Sequence, residues 1–270
     1  MPIDPTTIIC EILGQPAPDM RNPANADYEC PFLSGPCTKR SPQLEGPYPV
    51  CTIFRPNSTD PICVCPKRLN EIDIVKDVLE NCWPGTPPNP ANIKVTSEVH
   101  LGHLGNMDLV IAELTSSGHV KKFVSVEYQA IDITGSYFPA YTALTNSDQL
   151  KKKSTLGLNW MNVYKRYVTQ LIGKGFQHHQ WNTIMISVMQ ETVMNRMLKI
   201  GNINEVPLNN SNIVFLGYKY VFDSEENVYK LELSRVYPTT HQNITNGPLY
   251  REVIDVHDAK AKILSRMNGE

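Results

Sequence analysis

The sequence predicts an α/β fold in which a mixed central sheet is flanked by helices and preceded by a cysteine-rich region. Beyond residue 90, apolar segments of strand length alternate with amphipathic helical segments. Two of the strand-like segments, 106–114 and 119–129, are joined by turn-forming residues at 115–118. All seven cysteines lie in the first third of the chain, among many prolines. We therefore divide the chain into an N-terminal region, residues 1–88, and a core, residues 89–270.

Composition limits the classes of protein that fit. With 270 residues the chain is long enough for one large domain with an appendage or for two small ones. A net charge of −2 and a pI near 6.4 argue against a generally basic nucleic-acid coat, although they allow a local basic groove. The N-terminus lacks the pattern of a signal peptide, and no apolar run reaches the length of a membrane span. We expect a cytoplasmic protein without a membrane partner.

The cysteines predict a metal site. Residues 7–13 suggest a short helix, but the segment from Cys30 to Arg68 has too few aliphatic residues to build a core of its own. An odd number of cysteines is unlike a secreted disulfide framework and favours metal binding in a reduced protein. Cys30, Cys37 and Cys51, with Cys65 or Cys63, would complete a tetrahedral site. We select Cys65, which precedes a proline, and expect Cys10 and Cys82 to be buried.

Such a closed four-thiolate site would be structural, and Zn²⁺ is its default metal, although the spacing does not distinguish Zn²⁺ from iron. After it, an amphipathic pattern predicts a helix over 70–81, and the Pro-rich segment 83–90 forms the boundary to the core. A strand is expected over 91–100. Within it Glu98 is expected to face solvent, and an auxiliary catalytic acid is the alternative.

The predicted hairpin brings acidic residues together. A loop of three or four residues would set Asp108 opposite residues 125–127, so Asp108 and Glu127 become cross-strand neighbours. Glu127 and Gln129 are two apart and so share one face of their strand. Two adjacent carboxylates repel each other unless a cation lies between them, and oxygen ligands suit Mg²⁺. Asp108 followed by Glu127-Tyr128-Gln129 resembles the PD-(D/E)XK nuclease signature with glutamine in place of lysine; an ordinary hairpin with exposed acids is the alternative.

The second half of the chain supplies a possible DNA-facing helix. Residues 162–174 predict an amphipathic helix that places Lys165, Arg166 and Gln170 within about a turn of one another, either as a phosphate-facing patch or as a solvated face. His178 and His179 are expected in a surface loop, with metal or DNA contacts as the alternative. Further strands are expected over 183–189, 212–222 and 228–238, and helices over 191–199 and 249–267.

Two groups of these residues resemble the NotI-type restriction endonucleases. The first runs from Cys30-Pro-Phe-Leu to Val64-Cys-Pro-Lys-Arg68. The second is Val126-Glu-Tyr-Gln, continued to Gly135-Ser-Tyr137, with Asn162-Val-Tyr-Lys-Arg-Tyr and Gln170 further on. The segment 140–160 departs from the family, so base-reading residues are not carried over.

The resemblance implies a bacterial, dimeric, Mg²⁺-dependent type II enzyme with a PD-(D/E)XK core. Such an enzyme hydrolyses both strands of a palindromic, GC-rich DNA site and leaves 5′-phosphate and 3′-hydroxyl ends. By the same likeness Asp108 and Glu127 hold Mg²⁺ and Gln129 is the third catalytic residue. The cysteine set, Cys30, Cys37, Cys51 and Cys65, looks like the structural iron site of the family.

Other functions fit parts of the sequence. The chain could be a non-cleaving Cys₄ DNA-binding module whose hairpin acids are incidental, or a repair nuclease with the same core. A Mg²⁺ enzyme acting on a small substrate is disfavoured because the sequence contains no Gly-rich loop that would cradle a phosphate.

Overall fold

The chain folds around a six-stranded mixed sheet with a smaller sheet beside it. A computed structural model describes residues 3–55, 58–152, 156–250 and 254–268. The strands are β1 (Ile9–Ile12), β2 (Gln15–Pro16), β3 (Val50–Phe54), β4 (Pro61–Cys63), β5 (Ile93–His100), β6 (Asn106–Leu114), β7 (Val120–Gln129), β8 (Ile133–Thr134), β9 (Gly157–Leu158), β10 (Met185–Gln190), β11 (Ile213–Asp223) and β12 (Val228–Thr239). The helices are α1 (Ile74–Asn81), α2 (Phe138–Thr145), α3 (Trp160–Gln180), α4 (Glu191–Gly201), α5 (His241–Asn246) and α6 (Val256–Met267).

The N-terminal region forms a four-stranded sheet in the order β2-β1-β3-β4. The helix expected over 7–13 is wrong, because Ile9–Ile12 forms a strand paired with β3 on one side and β2 on the other. All four of its residues are buried, whereas an amphipathic helix would leave one face exposed. The β-branched side chains of Ile9 and Ile12 favour a strand at such a position. Cys10 and Cys82 are buried as predicted.

The helix predicted over 70–81 is present but divided. Residues Pro66–Glu71 form a 3₁₀ helix, and α1 begins after Asp73. The Asp73 side chain accepts a hydrogen bond from the backbone N–H of Lys76 and so caps the start of α1. Ile72, between the two helices, is extended, which explains why one continuous helix does not form.

The central sheet has the order β12-β11-β10-β7-β6-β5. Strand β10 runs parallel to both of its neighbours, β7 and β11, and the remaining pairs are antiparallel. All six residues of β10 are buried, as expected for a strand covered on both faces. The predicted mixed α/β architecture is confirmed at this level.

The hairpin forms with the predicted register. Leu109 pairs with Val126, so Asp108 lies beside Glu127 at the end of the ladder. Gly118 in the connecting turn has a φ of +80°, a conformation that residues with a Cβ adopt at a cost. The turn therefore fixes which residues of the two strands face each other.

The two faces of the sheet pack against different helices. On one face, Val124 and Val126 belong to an apolar cluster that includes Ile74 and Val78 of α1. On the other face, Ser125 and Glu127 of the same strand are directed toward α3. The alternation of β7 thus sends its polar residues to the α3 side.

The later elements follow the predictions with altered ends. Strands β10, β11 and β12 and helix α4 occupy the expected segments, whereas α2 forms where no helix was predicted. The helix expected over 249–267 begins only at Val256, where Asp255 caps the chain by accepting from the N–H of His257; residues 251–253 lie outside the described part. Among the described residues, no helix has the length and apolarity needed to cross a bilayer.

A buried ion pair ties the cysteine-rich region to both sheets. The guanidinium group of Arg68, which is 1% exposed, donates to both carboxylate oxygens of Glu11 at 3.1 and 3.2 Å, and it also pairs with Glu71. Its Nη2 donates to the carbonyl oxygen of Tyr229 on β12 at 2.6 Å. Burial raises the pKa of Glu11, and Arg68 opposes that shift. Arg68, at the end of the cysteine-rich motif, is therefore a structural residue.

We predict that Arg68→Met lowers the free energy of unfolding by about 3–5 kcal/mol, because it leaves the buried Glu11 carboxylate without its partner. The double variant Arg68→Met/Glu11→Met should recover much of the loss. Urea denaturation measures both. A single variant within about 1 kcal/mol of the unaltered protein would contradict the proposed role of this pair.

Candidate active site

Two acidic side chains meet where β6 and β7 separate. Asp108 lies beside Glu127 in the ladder, and its Oδ2 accepts a hydrogen bond from the backbone N–H of Tyr128 at 2.9 Å. Glu127 is 5% exposed, whereas Asp108 is partly exposed. The pair therefore combines one carboxylate anchored at the edge of a cleft with one held inside the fold.

A third acid, Glu98, extends this pair into a row across three strands. Ser97 pairs with Leu109 and Val99 pairs with Met107, which sets Glu98 beside Asp108. Glu98 has a φ of +55°, and its Oε2 accepts from the side-chain amide of Asn106 at 3.2 Å. The Glu98 side chain is exposed, which agrees with the expectation that it faces solvent. Its position beside Asp108 also fits the alternative, an auxiliary acid.

Burial and like charges act together on Glu127. The pKa of this carboxyl is raised to about 7; burial is the largest cause, and the negative charges of Asp108 and Glu98 act in the same direction. Hydrogen bonding and charge from Lys174 act in the opposite direction. Glu127 is thus a carboxylate whose ionised form needs a nearby cation.

That cation is a residue that the sequence reasoning missed. Lys174, on α3, is 7% exposed, and its Nζ donates to Oε1 of Glu127 at 2.6 Å and to the carbonyl oxygen of Asn106 at 2.6 Å. The sequence gives one sign of this role: Lys174 falls on the apolar side of an amphipathic helix, where a lysine needs a partner.

Gln129 shares the face of Glu127, as predicted, but its side chain is engaged locally. Its amide nitrogen donates to the carbonyl oxygen of the next residue, Ala130. In this arrangement Gln129 supplies no charge to the acidic pair.

Two of the three acids, Glu98 and Asp108, border a cleft between the two regions of the chain, and Glu127 lies behind them against α3. A cavity of about 630 Å³ has Glu98 and Asp108 on the sheet side and Lys67 and Asn70 on the side of the cysteine-rich region. Acidic ligands and a basic side chain thus face each other across a space that solvent can enter.

The chemistry of the acidic pair fits Mg²⁺. Hard carboxylate oxygens on adjacent strands, where the charge of Asp108 raises the pKa of Glu127, are the donor type that a small divalent cation prefers. Within the described residues, no group of three or more histidine, cysteine or acidic side chains is close enough together to hold a metal ion. The fit therefore rests on two carboxylates, with water left to complete the coordination.

Three predicted thiol ligands surround a second cavity. Cys30, Cys37 and Cys65 line a space of about 200 Å³. Cys51 is buried near it; burial raises its pKa well above the ordinary value, with Glu11 and Cys65 contributing. Burial also raises the pKa of Cys37, and Cys65 and Cys30 add to that shift. Neighbouring thiols disfavour the ionisation of Cys37 and Cys51, which a thiophilic cation would relieve, so the donor chemistry fits Zn²⁺ or iron. The four thiols are nevertheless not gathered into a metal-binding group within the described residues.

Cys63 is directed elsewhere. Its thiol donates to the carbonyl oxygen of Cys65 at 3.2 Å, and the residue belongs to the apolar cluster on the α1 side of the sheet. The geometry therefore supports Cys65 as the fourth member of the set.

The expected DNA-facing residues lie on one exposed face of α3. Lys165, Arg166 and Gln170 are all exposed. Arg166 donates to Asp132 at 2.9 Å, so part of its charge is already matched within the chain.

The expectation that His178 lies in a surface loop is wrong. It is in the last turn of α3, fully buried, with Nδ1 at 2.7 Å from the carbonyl oxygen of Lys174 and Nε2 at 2.8 Å from the Ser125 hydroxyl. Burial lowers its pKa to about 4, so it is neutral at pH 7. His179 is exposed.

Comparison with known proteins identifies the family of the chain. No curated protein matches the chain. A family model described as restriction endonuclease NotI matches residues 24–231, which include the cysteine set, the acidic row and α3. Because the match covers more than half of the sequence, the chain belongs to the NotI restriction endonuclease family.

Proposed function

We propose that the chain is a Mg²⁺-dependent type II restriction endonuclease with a PD-(D/E)XK core. It would hydrolyse phosphodiester bonds in both strands of a palindromic, GC-rich DNA site and leave 5′-phosphate and 3′-hydroxyl ends. The observation that carries the proposal is that Asp108, which lines an open cleft, lies beside the buried Glu127, in a chain of a restriction endonuclease family.

Each residue of the site has a proposed role. Asp108 and Glu127 would hold Mg²⁺, and the bound cation would lower the pKa of a water molecule and stabilise charge on the phosphate. Gln129 would orient the attacking water by hydrogen bonding, which requires its amide to leave the carbonyl oxygen of Ala130. An amide cannot accept the proton of that water, so Gln129 acts by orientation alone.

The partners follow from the substrate. Lys165, Arg166 and Gln170 would contact the DNA backbone, and Arg166 would exchange Asp132 for phosphate. A palindromic site is matched by a two-fold dimer, so we propose a homodimer.

The cysteine set would hold iron or Zn²⁺ as a structural centre. A closed shell of Cys30, Cys37, Cys51 and Cys65 leaves no position for substrate. Pro66 and Lys67 border both the cysteine cavity and the cleft, so the centre would support one wall of the site.

A non-cleaving DNA-binding protein is the second candidate. The observation in its favour is the ion pair of Glu127 with Lys174, which already gives this carboxylate a cationic partner.

We predict discrete fragments when plasmid DNA is incubated with the protein and Mg²⁺, and none after the metal is chelated. Sequencing the fragment ends then reports the site and the stagger. Unchanged supercoiled DNA would favour the non-cleaving protein, and cutting confined to damaged or branched DNA would favour a repair nuclease.

We predict that Glu127→Gln lowers the cleavage rate on the order of a thousandfold or more, since a metal ligand supports several kcal/mol of charge stabilisation. DNA affinity, measured by fluorescence anisotropy, should be retained. The matched control is Glu113→Gln on the same hairpin, where Glu113 pairs with Lys121 away from the cleft. Equal rates for the two variants would exclude Glu127 from the site.

We predict that Cys65→Ser loses the bound iron or Zn²⁺, whereas Cys63→Ser keeps it, because the Cys63 thiol is directed away from the cavity. Elemental analysis of the purified proteins measures the metal content. Loss of metal from Cys63→Ser but not from Cys65→Ser would reverse the assignment.

A further inference from the structure

A buried lysine lies directly against the proposed metal ligand Glu127. The Lys174 ammonium group is bound to Oε1 of Glu127 and to the carbonyl oxygen of Asn106, both at 2.6 Å. Within the described part of the chain, the hydrogen bond to Glu127 is made to Oε1 alone. One carboxylate oxygen is thereby held in place, and the other is left for a different partner.

Lys174 supplies the positive charge that stabilises the ionised Glu127 carboxylate. Among the strongest influences on the Glu127 pKa, burial, Asp108 and Glu98 raise it, and only Lys174 lowers it. His178, one helical turn further along α3, accepts from Ser125 and stays neutral. Because a lysine is almost never buried without a partner, the position of Lys174 is best explained by the carboxylate that it contacts.

Strand β7 carries no such charge at the third position of the motif. Gln129, at the third position of the motif, is a neutral amide turned toward its own backbone. Lys174 comes from α3, which packs on the Glu127 face of the sheet, and it reaches the acidic pair from the protein interior. With 7% of its surface exposed, it is not available to bind the DNA backbone.

We propose that Lys174 is a positioning residue for cleavage. Its ammonium group fixes one oxygen of Glu127 so that the second is presented beside Asp108, and it shares the carboxylate with the divalent ion when that ion binds. This inference rests on the proposed nuclease function and adds a residue to it.

The Lys174 ammonium group and a bound divalent ion would share the Glu127 carboxylate, and this sharing has an effect on metal affinity that can be measured. A divalent ion on Glu127 would be repelled by an ammonium group on the same carboxylate. Lys174→Met should therefore bind Mn²⁺ more tightly, by about tenfold or more, when Mn²⁺ is titrated at pH 8.5 and followed by electron paramagnetic resonance. The same variant should cleave at least a hundredfold more slowly at saturating Mg²⁺ and DNA, with DNA affinity changed less than twofold, because the carboxylate is no longer oriented.

Controls separate this role from a structural one. Lys121→Met removes the lysine of a comparable Lys–Glu pair on the same hairpin and should leave Mn²⁺ affinity and cleavage unchanged. Thermal unfolding shows whether Lys174→Met is folded; if it is not, Lys174→Gln, which keeps a donor but no charge, carries the same measurements.

Unchanged or weaker Mn²⁺ binding by the Lys174 variant, or an unchanged cleavage rate, would overturn the role of Lys174 while leaving the nuclease intact. Absence of both Mn²⁺ binding and cleavage in the unaltered protein would instead overturn the proposed function. The two failures are thus distinguishable.

Discussion

The register of the β6–β7 hairpin is the constraint on which the candidate site depends. A strand alternates its side chains with a period of two, so a slip of one residue would turn Glu127 into the α1 cluster and bring Val126 or Tyr128 to the α3 face. The register is held by the turn at Gly118 and by the apolar residues of β7, which bury on one face only. The placement of two carboxylates side by side follows from that apolar pattern.

Two contacts stabilise the paired carboxylates Asp108 and Glu127, one inside the fold and one at the cleft. From the interior, Lys174 offsets the cost of burying Glu127. From the cleft, Asp108 stays partly exposed and uses the Tyr128 amide as a donor. Removing charge from water is costly, so a buried carboxylate beside two others requires such compensation. The arrangement presents Asp108 to the cleft and keeps Glu127 directly behind it, where a hard cation could contact both.

The sequence could predict what depends on local pattern. The alternation of 106–129 and the turn residues at 115–118 predicted the hairpin, and the apolar pattern of 183–189 predicted a buried strand; both appear as expected. The same local reasoning failed at 7–13, where burial on both faces comes from strands and helices distant in sequence.

The parts of the site that escaped prediction are long-range pairings. Lys174 is 47 positions from Glu127, and Arg68 is 57 positions from Glu11. No spacing rule connects such residues, because their proximity is set by how α3 and the small sheet pack on the core. A lysine within the apolar stripe of a helix signals that a partner exists without saying which one. The roles of Asp108, Glu127, Gln129 and the cysteine set remain predictions.

The central claim is that Asp108 and Glu127 together hold a divalent cation at the cleft. The most direct measurement is anomalous diffraction at the manganese absorption edge from crystals of the full chain grown with Mn²⁺. The account predicts an anomalous peak within coordination distance of a carboxylate oxygen of each residue. A peak bound by other residues, or no peak at this place in crystals where Mn²⁺ is otherwise visible, would contradict it.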